Sequence, residues 1–125
     1  MDGQVEHFAK AVVLVVEDDP LQMMIAGDLV EDAGLTPIFA KNADQAIAIL
    51  ESRNDIRILL TDVDMPGSMD GLRLAAVTRD RWPPIQVVVV SGHMLVEQAK
   101  LPDRSRFFNK PYAPDKMITA LRSLV

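Results

Sequence analysis

Short unbroken runs of aliphatic residues are the strongest constraint on this chain. Residues 12–16 read Val-Val-Leu-Val-Val, residues 58–60 read Ile-Leu-Leu, and residues 87–90 are four valines. A strand with one face in water alternates apolar and polar residues, whereas a strand covered on both faces does not. Segments of helical period lie between the runs. This alternation calls for βαβ units and an α/β fold with a parallel sheet. Two weaker runs, 37–40 and 106–109, suit the sheet edges. Right-handed crossovers then favour five strands in the order 2-1-3-4-5.

The helical segments carry their own punctuation. Asp19 is suited to cap a first helix and Pro20 to begin it, with Gly34 as its stop. Leu21, Met24, Ile25, Leu29 and Ala33 are expected to form its inward face. Asn42 followed by Gln45 resembles a capping box, and Ala43, Ala46, Ile47 and Leu50 follow as an apolar stripe. A third helix is expected to turn Leu72, Ala75 and Ala76 inward and to end near Trp82. A short segment between Gly92 and Pro102 reads as a stunted fourth helix. Pro114 opens a final helix carrying Met117, Ile118, Leu121 and Leu124.

Composition narrows the functional classes. A chain of 125 residues fits one domain. Residues 1–9 read as a flexible N-terminal arm and 10–125 as the folded domain. A net charge of -5 without any Lys/Arg run argues against direct nucleic-acid binding. No apolar stretch reaches the roughly 18 residues of a membrane span. The N-terminus has no signal-peptide pattern, so a cytoplasmic protein is expected. The chain has no cysteine, which excludes thiol nucleophiles and thiolate metal sites.

The residues that end the strands carry the chemistry. The first run stops at Glu17-Asp18-Asp19, the third at Asp62, the fourth at Ser91 and the last at Lys110. In a parallel sheet these ends share one edge, where such folds bind ligands. Crowded carboxylates need compensation. Mg²⁺ supplies it with oxygen ligands and retained waters. Asp18 and Asp62 are expected as direct ligands, Glu17 through water, with the Asp64 backbone carbonyl completing the set. Asp62 is the best nucleophile toward a phosphoryl group. Lys110 and the Ser91 hydroxyl would hold phosphoryl oxygens. Asp19 reads as a helix cap, and His7 and His93 are not assigned roles.

Taken in order, Val15-Val16-Glu17-Asp18-Asp19-Pro20, Thr61-Asp62-Val63-Asp64-Met65-Pro66, Asp70-Gly71, Val90-Ser91-Gly92 and Lys110-Pro111-Tyr112 resemble the receiver domain of two-component response regulators. The resemblance covers residues 10 to 125. It implies a flavodoxin-like (βα)5 three-layer sandwich and a phosphoryl group received on Asp62 from a sensor histidine kinase or histidine phosphotransfer protein. It implies Mg²⁺ held by Glu17, Asp18, Asp62 and the Asp64 carbonyl. Ser91 and Phe107 would be the switch pair, and the Lys110–Pro111 peptide would be cis. A downstream protein target, not identified by the sequence, would read the switched surface, and a homodimer is compatible with the pattern. The chain departs from the pattern in a longer loop at 66–71 and a short stretch between Ser91 and Lys110. No output segment follows Val125, so the sequence reads as a stand-alone receiver or a piece of a longer protein. Two other readings fit parts of the pattern: a receiver used as a phosphorylation-independent scaffold, and a haloacid-dehalogenase-like phosphohydrolase. The second is suggested by Asp62-Val63-Asp64, but its acid pair lies on the wrong side of that motif.

Overall fold

The computed structural model describes residues 10–65, 69–92 and 101–125. The expected arm at 1–9, the loop at 66–68 and most of the expected fourth helix (93–100) lie outside the described residues. Five strands, β1 (Val12–Val16), β2 (Thr36–Ala40), β3 (Ile56–Asp62), β4 (Gln86–Ser91) and β5 (Ser105–Asn109), form one parallel sheet. Their order is β2-β1-β3-β4-β5, as the crossover rule requires. The four helices among the described residues are α1 (Pro20–Asp32), α2 (Ala43–Ser52), α3 (Gly71–Arg81) and α4 (Pro114–Ser123).

The central strands are apolar throughout because both of their faces are covered. Leu14, Val16, Leu59, Val87 and Val89 pack with Leu50 of α2 and Leu74 of α3. Val13, Val15, Ile58, Leu60, Val88 and Val90 pack with Val30 of α1 and with Met117 and Leu121 of α4. Alternate residues of each strand thus feed two separate cores, and the sheet is the middle of three layers.

Local capping follows the sequence. Asp19 Oδ1 accepts from Leu21 N at 2.9 Å at the start of α1. At the other end Gly34, with φ of 82°, takes the left-handed position that closes a Schellman motif. Leu35 N donates to Val30 O at 3.1 Å and Gly34 N to Glu31 O at 2.9 Å. Asn42 Oδ1 accepts from Gln45 N at 2.8 Å, and Gln45 Oε1 returns to Lys41 N at 2.8 Å. The return bond lands one residue before the expected partner.

Two helix faces differ from expectation. In α1 the buried residues are Ala26, Gly27, Leu29 and Val30, while Leu21, Met24 and Ile25 are 58 %, 58 % and 43 % exposed. The cause is close packing. A Cβ on Gly27 would stand 2.7 Å from Phe39 Cζ, so small residues face the sheet and hydrophobicity alone selects the wrong stripe. In α3 Leu74, Ala75 and Thr78 are buried with Gly71. Ala76, expected inward, is exposed and Leu72 only half-buried.

This assignment separates two leucines of one helix. Leu29→Ala should cost about 2–5 kcal/mol of unfolding free energy, whereas Leu21→Ala should stay within about 0.5 kcal/mol of the parent. Urea denaturation of both variants measures the difference. Equal losses would restore the expected face.

Candidate functional site

All the strand ends in question meet at the carboxyl edge of the sheet. The register makes this possible. Asp62 pairs with Val90 and Ser91 with Asn109 across neighbouring strands. Three backbone bonds extend the pairing past the strands: Glu17 N to Ala40 O at 3.0 Å, Val63 N to Val90 O at 2.8 Å, and Lys110 N to Ser91 O at 2.8 Å. The side chains of residues 17, 62 and 110 are therefore carried by ladder geometry and not by free loops.

Lys110 lies between two acids. Its Nζ donates to Asp62 Oδ2 at 3.0 Å and to Glu17 Oε1 at 3.3 Å. The second oxygen of each acid holds a backbone amide: Asp62 Oδ1 accepts from Asp64 N at 3.1 Å, and Glu17 Oε2 from Asp19 N at 3.1 Å. Glu17 and Asp62 are only 6 % and 9 % exposed, so none of these groups is a freely solvated surface charge. Lys110 and Pro111 are joined by a cis peptide bond, as the resemblance implies.

The electrostatics follow from this crowding. Burial raises the Glu17 carboxyl above its ordinary range. The Asp19 amide and the Lys110 charge oppose that rise, and Asp62 reinforces it. Burial pulls Lys110 down, but its hydrogen bond to Asp62 and the two negative charges outweigh burial, and the net direction is up. Burial also raises the Tyr112 phenol, while Lys110 lowers it. Nothing in the sequence pattern assigns Tyr112 a role. With Gln22 it lines a small cavity of about 20 Å³ that also touches Glu17, Asp62 and Lys110. That volume is close to the room one water molecule needs.

The other expected residues are placed as follows. Ser91 is buried at the end of β4. Asp18 and Asp64 are exposed. Phe107 is half-buried against the α2/α3 core. His93 lies outside the described residues. Gly71, part of the Asp70-Gly71 pair, has a steric task. A Cβ there would overlap the carbonyl oxygen of Asp62, and Gly71 N donates to Val63 O at 3.0 Å. Glycine lets α3 begin directly against the residue that ends β3. A wider groove of about 560 Å³, near Trp82 and Arg53, lies at the opposite edge of the sheet and holds none of these groups.

The donor chemistry suits a hard divalent cation. Among the described residues no three His, Cys, Asp or Glu side chains cluster as a metal cage. Mg²⁺ does not require one, because it keeps several waters and takes only one or two carboxylates. Glu17, Asp62 and a carbonyl nearby are enough oxygen donors, provided the Lys110 ammonium gives way.

The sequence pattern of the response regulator receiver domain matches residues 13–122. The chain belongs to this family. It is 32 % identical over 111 residues to the nitrogen assimilation regulatory protein NtrX of Azorhizobium caulinodans, which covers 85 % of this chain and 24 % of NtrX. The chain spans about a quarter of the length of the curated response regulators it resembles. Its fold superposes on a response regulator receiver protein from Sinorhizobium medicae with a TM-score of 0.83 and 28 % identity, covering 92 % of this chain and 94 % of that one. It also superposes on the Thermotoga maritima response regulator TrrA, solved in complex with Mg(2+)-BeF, with a TM-score of 0.78 and 19 % identity over 91 % of this chain and 98 % of that one. The receiver domain is a signalling module of two-component systems and not an enzyme of the usual kind. No helix among the described residues is long and apolar enough to cross a membrane.

Two predictions come from this geometry. Gly71→Ala should lower stability by about 1–3 kcal/mol or more through overpacking, read by urea denaturation. Unchanged stability would mean α3 does not abut Asp62. The second concerns pH. Because the folded pKa of Glu17 is raised, its contribution is fully present below the ordinary value of 4.5 and is lost as pH rises through the folded value. Melting curves in a metal-free buffer should therefore show a step that Glu17→Gln removes. Parallel pH profiles for the two proteins would contradict the assignment.

Proposed function

We propose that Asp62 is the phosphoacceptor of this receiver domain and that it takes its phosphoryl group from the phosphohistidine of a sensor kinase or histidine phosphotransfer protein. The observation that carries this reading is the ammonium of Lys110 on Asp62 Oδ2 at 3.0 Å, in a pocket that Glu17 shares. In the transfer an Asp62 carboxylate oxygen forms a bond to phosphorus. The bond from phosphorus to the donor imidazole nitrogen breaks, and its electron pair returns to that nitrogen.

The reaction needs positioning and charge neutralisation more than covalent assistance. Ladder geometry fixes Asp62, and the Asp64 amide orients one of its oxygens. Lys110, already within reach, turns from the carboxylates to a phosphoryl oxygen, and the Ser91 hydroxyl donates to another. Glu17, Asp18, Asp62 and the Asp64 carbonyl are the residues that would hold Mg²⁺. When bound, the ion neutralises charge on the acceptor and the transferred group. Ser91 and Phe107 then form the switch pair, with Phe107 turning further into the space beside β4 as Ser91 moves. Promotion of its own phosphorylation and dephosphorylation is the only chemistry proposed for the domain.

Intact-mass measurement tests the reading. With Mg²⁺ and acetyl phosphate the protein should gain one base-labile phosphoryl group. Asp62→Asn should abolish the gain, and Lys110→Ala should leave the phosphorylated form without the amide NMR shifts expected of the phosphorylated parent. Full labelling of Asp62→Asn would rule out the acceptor assignment. Multiple turnover of an organic phosphate, lost in Asp64→Asn, would point to a phosphohydrolase.

A further inference from the structure

β5 is tied at both ends. At its C-terminal end, Lys110 N donates to Ser91 O and Lys110 Nζ sits on Asp62 and Glu17. At its N-terminal end the strand begins in a turn from Pro102 to Ser105, where Ser105 N and Ser105 Oγ both donate to Pro102 O. One side chain from another element secures that turn. Arg79 of α3 donates from Nε to Asp103 O at 2.9 Å and from Nη1 to Pro83 O at 2.6 Å. A single guanidinium therefore joins α3, the α3–β4 connection and the turn that leads into β5.

Three observations indicate that the turn is held against resistance. Arg104 has φ of 63° and is the one non-glycine residue with positive φ among those described. It occupies the third position of a four-residue turn, where positive φ favours glycine. Arg104 Nη2 also donates a long hydrogen bond to Pro83 O at 3.4 Å, which brings a second positive charge to the carbonyl that Arg79 already uses. Finally, Arg79 Nη2 is buried with no hydrogen-bond partner. Burial first, and the Arg104 charge second, lower the Arg79 pKa, and Asp103 offsets part of this. Local strain and an unsatisfied buried donor in one short turn are costs that a packed structure seldom retains without use.

We propose that Arg79 is a positioning residue for the acceptor pocket: it latches the start of β5 to α3 in a strained turn, so that the strand can yield when Lys110 leaves Glu17 and Asp62. The latch rests on the Arg79 contacts alone. Its coupling to Lys110 rests on the function proposed above. Phe107 lies midway between the two anchors, which places the expected switch residue on the segment that would move.

Hydrogen–deuterium exchange of the whole chain tests this. In metal-free protein, Arg79→Met should speed exchange of β5 amides by roughly tenfold through local opening while β1 and β3 stay close to the parent. Arg104→Gly, which removes both the strained φ and the competing charge, should slow β5 exchange. The double variant should recover most of the lost protection. Unchanged β5 exchange in Arg79→Met, equal acceleration throughout the sheet, or faster β5 exchange in Arg104→Gly would each overturn the latch. Adding Mg²⁺ and beryllofluoride should alter β5 exchange in the parent and change it little further in Arg79→Met. Altered exchange near Asp62 with none in β5 would overturn the coupling. No response anywhere would count against Asp62 as acceptor, and the metal-free comparison would still decide the latch.

Discussion

The ammonium of Lys110 lies 3.0 Å from Asp62 and 3.3 Å from Glu17, and the pocket depends on that contact. Two carboxylates this buried repel each other and have lost much of their hydration. At an effective dielectric of about 20, one contact at 3.0 Å is worth at most on the order of 5 kcal/mol. Desolvation takes several kcal/mol per ion. The two nearly cancel, so the triad adds little to stability. Its value lies in exchange, because one ammonium shared by two carboxylates leaves net negative charge that another cation can meet when Lys110 moves to a phosphoryl oxygen.

The rest of the fold keeps the three groups on station. Each charged residue ends or directly follows a strand of the sheet, so its position is fixed by backbone bonds. Gly71 lets α3 start against Asp62 itself. Glu17 links the pocket to α1, since its second oxygen holds the amide of Asp19, whose side chain in turn caps that helix. Through Lys110 the pocket reaches β5, and through Arg79 β5 reaches α3. Charge at one edge of the sheet is thus mechanically connected to three surrounding elements.

Much of this was legible in the sequence, for physical reasons that can be named. Unbroken apolar runs report burial on both faces, so the strand order and the convergence of Glu17, Asp62, Ser91 and Lys110 followed from pattern and crossover handedness. Capping at Asp19 and Asn42 was equally readable, because those bonds are local. The inward face of α1 was not. Leu21, Met24 and Ile25 form as good a stripe as the true one, and only tertiary contact decides: Gly27 lies against Phe39 and Ala26 in the core with Val30. The tasks of Gly71, Tyr112 and Arg79 were hidden for the same reason: each depends on an atom far away in the chain.

The central claim is that one pocket, built on Asp62 and balanced by Lys110, receives the charge that switches the domain. Amide NMR spectra with and without Mg²⁺ and beryllofluoride test it most directly. Shifts are expected at Glu17, Asp62, Asp64, Ser91 and Lys110 and along β5, and their loss in Asp62→Asn. Shifts that persist in Asp62→Asn, or that centre on the groove near Trp82, would contradict it.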